Sequence, residues 1–440
     1  MNAINKNVIV DAIKKNMVPI IFTILCILSI YYSRQPFAYI LTETVARIGR
    51  NAILILSLLL PVMCGMGLNF SIVLGAMAGE IGLILITHWS MDGLSGIGIS
   101  VIIATILSII FGVLTGQLFN KTKGQEMITG MILGFFAVGV YDLIFIFMVG
   151  SIIPMKNPEI MLAEGIGLRN TIEFHEKTKY AVDKVLKLSC VTLIPYLLMG
   201  FAVVSIVLVL FKMKKYKMTF KQAMKAIWKW IVTTAIFLGL QILTLVNIKV
   251  KFALSMVQIP MLTVFAIVLV CCLIVFITRT KLGQDIRTVG QNIHVATAAA
   301  IKVDKVRIIS VVLSTVIASW GQIIFLQNMG NVNTYNSHEQ VGTYAVAALL
   351  VGGASINRAT MAQVFTGTVL FHILFFVSPL AGKNLFNDSM IGEYFRVFLC
   401  YGVIGISLVL YAWKRVMSER QILEKEAEEK INTITAKESV

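Results

Sequence analysis

Apolar runs close to the roughly 20 residues that cross about 30 Å of hydrocarbon recur between Met17 and Trp413, separated by short polar and basic segments. That alternation constrains the fold more than any motif. Backbone inside hydrocarbon must satisfy its own hydrogen bonds, so each run has to be helical. With 58% of residues apolar, 14% charged and a mean hydropathy of +0.86, no soluble core could hide this surface. The expectation is an all-α integral membrane protein, a polytopic bundle of about ten spans with a re-entrant helix pair.

A net charge of +16 would ordinarily raise nucleic acid as a partner. Here Lys and Arg fall mostly between the apolar runs, which the positive-inside rule explains, and the bilayer itself is the partner implied. Six cysteines (Cys26, Cys64, Cys190, Cys271, Cys272, Cys400) form no CxxC. They suggest neither a disulfide framework nor a zinc site, and read as small packing residues. Residues 1–16 are basic and lead into Met17–Ile30 with no small-residue cleavage site, which predicts an uncleaved first span and a cytoplasmic N-terminus.

Residues 17–413 then form the transmembrane region. Tyr31–Arg50, with Glu43, Arg47 and Arg50, predicts an interfacial helix. Asn51–Met66 and Phe70–Thr87 predict spans joined across Gly65-Met-Gly67-Leu-Asn69, a break tolerated only where protein or water covers it. Ile97–Phe119 follows, then Glu126–Gly150, whose Gly130, Gly134 and Gly139 permit close helix packing. Residues 151–187 predict an extracytoplasmic insert, and Leu188–Phe211 returns inward. The basic loop 212–229, with Trp228 and Trp230 at its end, marks the cytoplasmic side. Ile231–Asn247, Met261–Thr278 and Ile308–Leu326 are the next spans. Val341–Gly352 is too short to cross, and GGASINRAT separates it from Gln363–Pro379, the pattern of two short halves around a polar break. Tyr394–Trp413 is the last span, and 414–440 predicts a solvated cytoplasmic tail. Broken polar spots in both halves, Gly65–Ser71 and Gly352–Arg358, are what an internal duplication would leave.

Residues 279–307 form a polar, basic island between two of these spans. Ile286, Val289, Ile293 and Ala296 recur at three and four, the period of one helix face, and the carboxylate of Asp285 can cap a first turn. The pattern predicts a short amphipathic helix outside the bilayer, its apolar stripe ringed by Arg287, Asn292 and His294. Such a helix suits a mechanical contact with a soluble partner; an ordinary cytoplasmic loop is the other reading.

No enzyme motif survives. His338-Glu339 lacks the second ligand of a zincin, Gly65-x-Gly67 lacks the third glycine of a dinucleotide loop, and Gly-x-x-x-x-Gly-Lys-Ser/Thr is absent, so any ATP-driven work must use a partner's nucleotide site. No cofactor or metal is expected. Charges within spans are Glu80, Asp142 and Arg358, and intramembrane charges default to functional hypotheses. Asp142 also suits hydrogen bonding to a neighbouring helix, and Arg358 capping of helix carbonyls. Asn69, Ser71 and Glu80, with Gly352, Gly353 and Ser355 at the second break, are the candidate pathway residues, because a path for polar solutes needs donors and acceptors on an apolar wall.

Three stretches carry a resemblance. Thr280-Lys-Leu-Gly283-Gln-Asp-Ile-Arg287-Thr-Val-Gly290-Gln-Asn292 with Ala296–Lys305 resembles the coupling loop of permease subunits of ATP-binding-cassette importers, in the group of branched-chain amino acid, ribose-type sugar and nucleoside permeases. Ser314 through Ser319-Trp-Gly321 is similar to that family's small-residue helix, and Tyr344 through Ser355 to its re-entrant segment. Gly67-Leu-Asn69-Phe-Ser71…Gly75-Ala76 resembles the stretch those permeases place near the substrate path. The resemblance spans Ala46–Arg415. Asn357-Arg358-Ala359-Thr360 departs from the usual glycine-rich turn, and the 151–187 insert and 212–229 loop lengthen the chain.

The resemblance implies a non-catalytic permease subunit in the plasma (inner) membrane of a prokaryote, with both termini cytoplasmic. Its partners would be ATPase subunits, a second permease as homo- or heterodimer, and an extracytoplasmic solute-binding protein. Gly283, Asp285, Ile286, Arg287, Val289, Gly290, Asn292, Ile293 and His294 would then couple to the ATPase. The solute, simple sugar or nucleoside, stays open. An ion-coupled secondary transporter is the rival reading. A membrane enzyme would need clustered groups that only Glu173-Phe-His175-Glu176 approaches.

Overall fold

The computed structural model describes residues 16–216, 226–356, 358–388 and 390–398, with isolated positions at 219, 222 and 224 and between 401 and 413. Part of the basic loop, part of Tyr394–Trp413, Asn357, residues 1–15 and the tail 414–440 lie outside the described residues. The first half of the chain holds α1 (Met17–Ser33), α2 (Phe37–Leu56), α3 (Leu59–Met63), α4 (Ile72–His88), α5 (Gly93–Lys121) and α6 (Glu126–Leu143), the last ending in a π-helical turn to Met148. Then come β1 (Thr171–Glu173), α7 (Ala181–Lys184), β2 (Lys187–Ser189), α8 (Cys190–Tyr216), α9 (Trp228–Val246), α10 (Ile248–Ser255) and β3 (Gln258–Pro260). The rest holds α11 (Met261–Arg279), α12 (Lys281–Gln291), α13 (Ile293–Ala298), α14 (Val303–Met329), β4 (Asn331–Asn333), α15 (Val341–Val351) and α16 (Met361–Phe386).

Among the described residues six helices are long and apolar enough to cross a membrane: α5, α6 with its π turn, α8, α11, α14 and α16. The α9–α10 pair, bent by 110°, makes up to seven. The bend has a local cause: the side-chain carbonyl of Asn247 caps a new helix by accepting from the N–H groups of Lys249 and Val250 at 3.0 and 3.3 Å. α1, α4 and α15 are apolar but shorter. This is an all-α multi-pass membrane protein.

The core is built around α14, which packs along α5, α4 and α2. Small residues allow the approach: a Cβ on Gly79 of α4 would fall 2.6 Å from the Ser319 carbonyl oxygen of α14. The same explanation was expected for α6 and fails there. Gly134 and Gly139 have nothing within 4 Å, and only Gly130 packs, against Phe119. Nine residues at about 100° each put Gly139 on the opposite side of the helix from Gly130, so the spacing marks no common stripe.

A second layer packs α16 against α1, α2 and α15. α2 begins at Phe37, so the interfacial helix expected over Tyr31–Arg50 is instead, from Phe37 on, the first part of a helix running into the core. Its charges are accommodated there. Glu43 Oε2 lies 3.3 Å from Arg47 Nε, and the Arg47 guanidinium lies 5.1 Å from the ring centre of Phe376 in α16. α16 also departs from expectation. Only α15 is a short half; α16 runs 26 residues from a Thr360–Gln363 capping box through Pro379 and is long enough to cross alone.

The 151–187 segment folds onto the helix ends. β1 pairs antiparallel with β4 (Ile172 opposite Val332) and β2 with β3 (Leu188 opposite Ile259). Asp183, 3% exposed, accepts from Gln327 Nε2 at 3.0 Å, Asn328 Nδ2 at 2.5 Å and the Thr263 hydroxyl, pinning the insert to α14 and α11.

Candidate functional site

At the opposite end from the insert, α12 and α13 form one angular unit. Asn292, at φ −160°, ends α12 and starts α13, its side-chain oxygen accepting from the N–H of His294 at 2.8 Å and of Val295 at 3.3 Å. The cap expected from Asp285 is absent: Asp285 lies inside α12, whose N-cap is Thr280, and the Thr280 hydroxyl donates back to Ile277. Asp285 lies five residues past that N-cap, too far along the helix to serve.

The apolar stripe points inward. Ile286, Val289 and Ala296 are 0%, 2% and 0% exposed, in a cluster with Cys64, Met66, Phe119, Val303, Val306 and Val311. Gly283 is also buried. The expectation of a stripe offered to a partner is therefore corrected: α12 lies against α3 and the start of α14, and apolar atoms there leave water without any second protein. Among the residues α12 and α13 leave exposed are Arg287, Asn292, Ile293 (39%), His294 and Val295 (56%).

Gly290 touches the first helix break directly. Gly65 and Gly67 hold left-handed backbone, φ +77° and +73°, and a Cβ on Gly65 would fall 2.9 Å from Gly290 Cα. Past the break, Asn69 and Ser71 are buried and paired. The Asn69 side-chain oxygen accepts from the Ser71 N–H at 3.1 Å and its hydroxyl at 2.5 Å, while Nδ2 donates to Ser314 Oγ of α14 at 3.3 Å. Sequence reasoning missed the clamp beside them. Arg307, 1% exposed, donates to Glu126 Oε1 at 2.5 Å, the Phe119 carbonyl at 3.1 Å and Asn120 Oδ1 at 2.9 Å. One guanidinium thus ties together the ends of α5, α6 and α14. The available signal was an arginine directly ahead of the apolar run Ile308–Leu326 and a glutamate opening another.

The second break meets the first, since a Cβ on Gly67 would lie 3.3 Å from Ile356 Cγ2. Gly353 accepts from Gln363 Nε2 at 2.7 Å, and Ser355 and Arg358 exchange backbone bonds of 2.9 and 3.3 Å. Gly352 is buried, while Arg358 is exposed on the turn. Glu80 stands apart from both breaks. It is fully buried, its Oε2 is 2.9 Å from Nδ1 of the equally buried His338, and the Tyr141 ring centre is 4.6 Å from the imidazole. Glu80 Oε1, His338 Nε2, the Tyr141 hydroxyl and Asp142 Oδ1 find no hydrogen-bond partner among the described residues.

A polar helix pair with a small exposed apolar tip rests on the glycine break, and Asn69 just beyond the break hydrogen-bonds Ser314 of the central helix. A family model described as branched-chain amino acid transport system / permease component matches residues 179–406, just over half of the 440 residues. The match takes in α12, α13 and the second break, and stops short of Asn69, Ser71 and Glu80. No curated protein and no solved structure matches the chain. The chain belongs to the permease components of branched-chain amino acid-type transport systems, membrane subunits of ATP-binding-cassette transporters.

Proposed function

We propose that this chain is the permease subunit of an ATP-driven importer for a small polar solute, a simple sugar or nucleoside. It works with ATPase subunits, a second permease and an extracytoplasmic binding protein, in a prokaryotic plasma membrane with about ten spans and both termini cytoplasmic. The observation that carries this reading is the seating of Gly290 in α12 on the Gly65 hinge. A push on Ile293, His294 and Val295 by an ATPase would move α12 as a rigid piece, because Ile286 and Val289 lock it to the core. The hinge would pass that motion to Asn69, Ser71 and Ser314, which close the path in this conformation. Gly283, Asp285, Arg287 and Asn292 shape the unit; Gly352, Gly353 and Ser355 back the hinge from the second break.

A second reading has its own observation. The buried Glu80–His338 pair has the parts of a proton relay, as an ion-coupled secondary transporter would require. Solute uptake into proteoliposomes separates the two. Uptake that needs internal ATP and a co-reconstituted ATPase, and that survives collapse of the proton and sodium gradients, supports the importer. Uptake by the permease alone that follows a gradient and is lost in Glu80→Gln supports the rival.

A further inference from the structure

A cavity of about 220 Å³ opens where α2, α14, α15 and α16 meet the polar segment 334–340. Its polar lining is Asn51, Asn336, Ser337, Gln340, Tyr344 and His372, and Phe325 also lines it. No carboxylate, lysine or arginine lines it. The nearby guanidiniums of Arg47 and Arg50 are engaged by Glu43 at 3.3 and 3.9 Å. His372 is 6% exposed, and its Nδ1 has no hydrogen-bond partner among the described residues. A buried polar atom without a partner calls for one. One side of the cavity is held in place, because His338, between Ser337 and Gln340, fastens this segment to Glu80.

We infer that this cavity is the solute-binding station of the permease, and that it takes a small neutral ring bearing hydrogen-bonding groups, a monosaccharide or nucleobase. The inference rests on the importer reading and deepens it. A zwitterionic amino acid would bring a carboxylate and an ammonium group against a lining that holds no charged side chain to pair with either, and unpaired buried charge is costly. A neutral ring suits the cavity on each count. Its faces stack on Phe325 and Tyr344, and its edge groups meet amide, hydroxyl and imidazole, which both donate and accept. The volume is about seven waters' share of liquid, below the roughly 300–1,000 Å³ of drug-sized sites.

Saturation-transfer NMR on the purified full chain in detergent tests this without any ATPase. The probes are D-ribose, adenine and L-leucine at equal concentration. The expected result is signal from ribose or adenine, the stronger naming the class, and none from leucine. His372→Ala and, on the exposed segment, Gln340→Ala should each weaken binding about fivefold to tenfold, the worth of one neutral hydrogen bond, with an unchanged melting temperature for Gln340→Ala. Leucine signal equal to the others, silence from all three probes, or wild-type affinity in both variants would overturn the inference. The importer reading fails separately, through absence of an ATPase partner.

Discussion

Replacing Arg307 by methionine should be among the most damaging single changes in the molecule, and the structure says by how much. The substitution keeps bulk but removes three donors, and it leaves the Glu126 carboxylate, 8% exposed, without its countercharge. Breaking a buried ion pair from one side costs about 3–5 kcal/mol. Glu126 Oε2 still accepts from the Gly124 N–H at 3.0 Å, which places the loss near the lower figure, about 3 kcal/mol. Glu126→Leu should cost a similar about 3 kcal/mol from the other side, because it strands the guanidinium. The double variant Arg307→Met/Glu126→Leu removes both charges and packs apolar atoms in their place, so its loss should be at least about 2 kcal/mol smaller than the two singles together. Unfolding by SDS titration in mixed micelles, followed by tryptophan fluorescence, measures all four proteins. Trp320 reports on the relevant helix, since its Nε1 donates to Thr105 Oγ1 of α5 at 2.8 Å. Single losses that add to within about 0.5 kcal/mol in the double variant would refute the clamp.

Three further outcomes follow from the same geometry. Gly290→Leu would drive side-chain atoms into the Met63 carbonyl and should cost about 1–3 kcal/mol by overpacking, with ATP hydrolysis uncoupled from uptake; full coupling would remove the hinge from the mechanism. Asn292→Ala removes the cap on α13 and should cost about 1 kcal/mol, seen as faster hydrogen exchange across residues 293–298 with α12 unaffected. Burial pushes the His338 imidazole down to about 4, against the upward pull of Asp142 and Glu339. Its neutral form therefore supports the fold fully above the ordinary value of 6.5, and that support is lost as pH falls from there toward 4. Exchange in residues 331–340, corrected for intrinsic rate, should rise over that window, and a flat profile would contradict the placement of His338.

Much of this was legible in the sequence because it is local. The apolar lengths gave the membrane class, and the spacing of three between Ile286 and Val289 marked one face of α12. Direction was not legible: an amphipathic stripe says that one side is covered, not whether the chain or a partner covers it. The cap illustrates the same limit, since Asp285 and Asn292 are equally able to cap and the choice depends on where the chain turns. The pairs that organise the interior lie too far apart for any pattern, Glu126 from Arg307 by 181 residues and Glu80 from His338 by 258. The cavity gathers residues from α2, α14, α15, α16 and the segment before α15, and none of them is unusual on its own helix.

On the proposed mechanism, the exposed tip of α13, and not the buried stripe of α12, meets the ATPase. Affinity capture of the full chain from detergent by a tag on its C-terminal tail, comparing wild type with Ile293→Glu, Val295→Glu and Val289→Glu, tests it most directly. An ATPase subunit should co-purify with wild type and be lost from Ile293→Glu and Val295→Glu at unchanged melting temperature, whereas Val289→Glu should first lower the melting temperature. Capture of no ATPase by wild type, or undiminished capture by both tip variants, would contradict it.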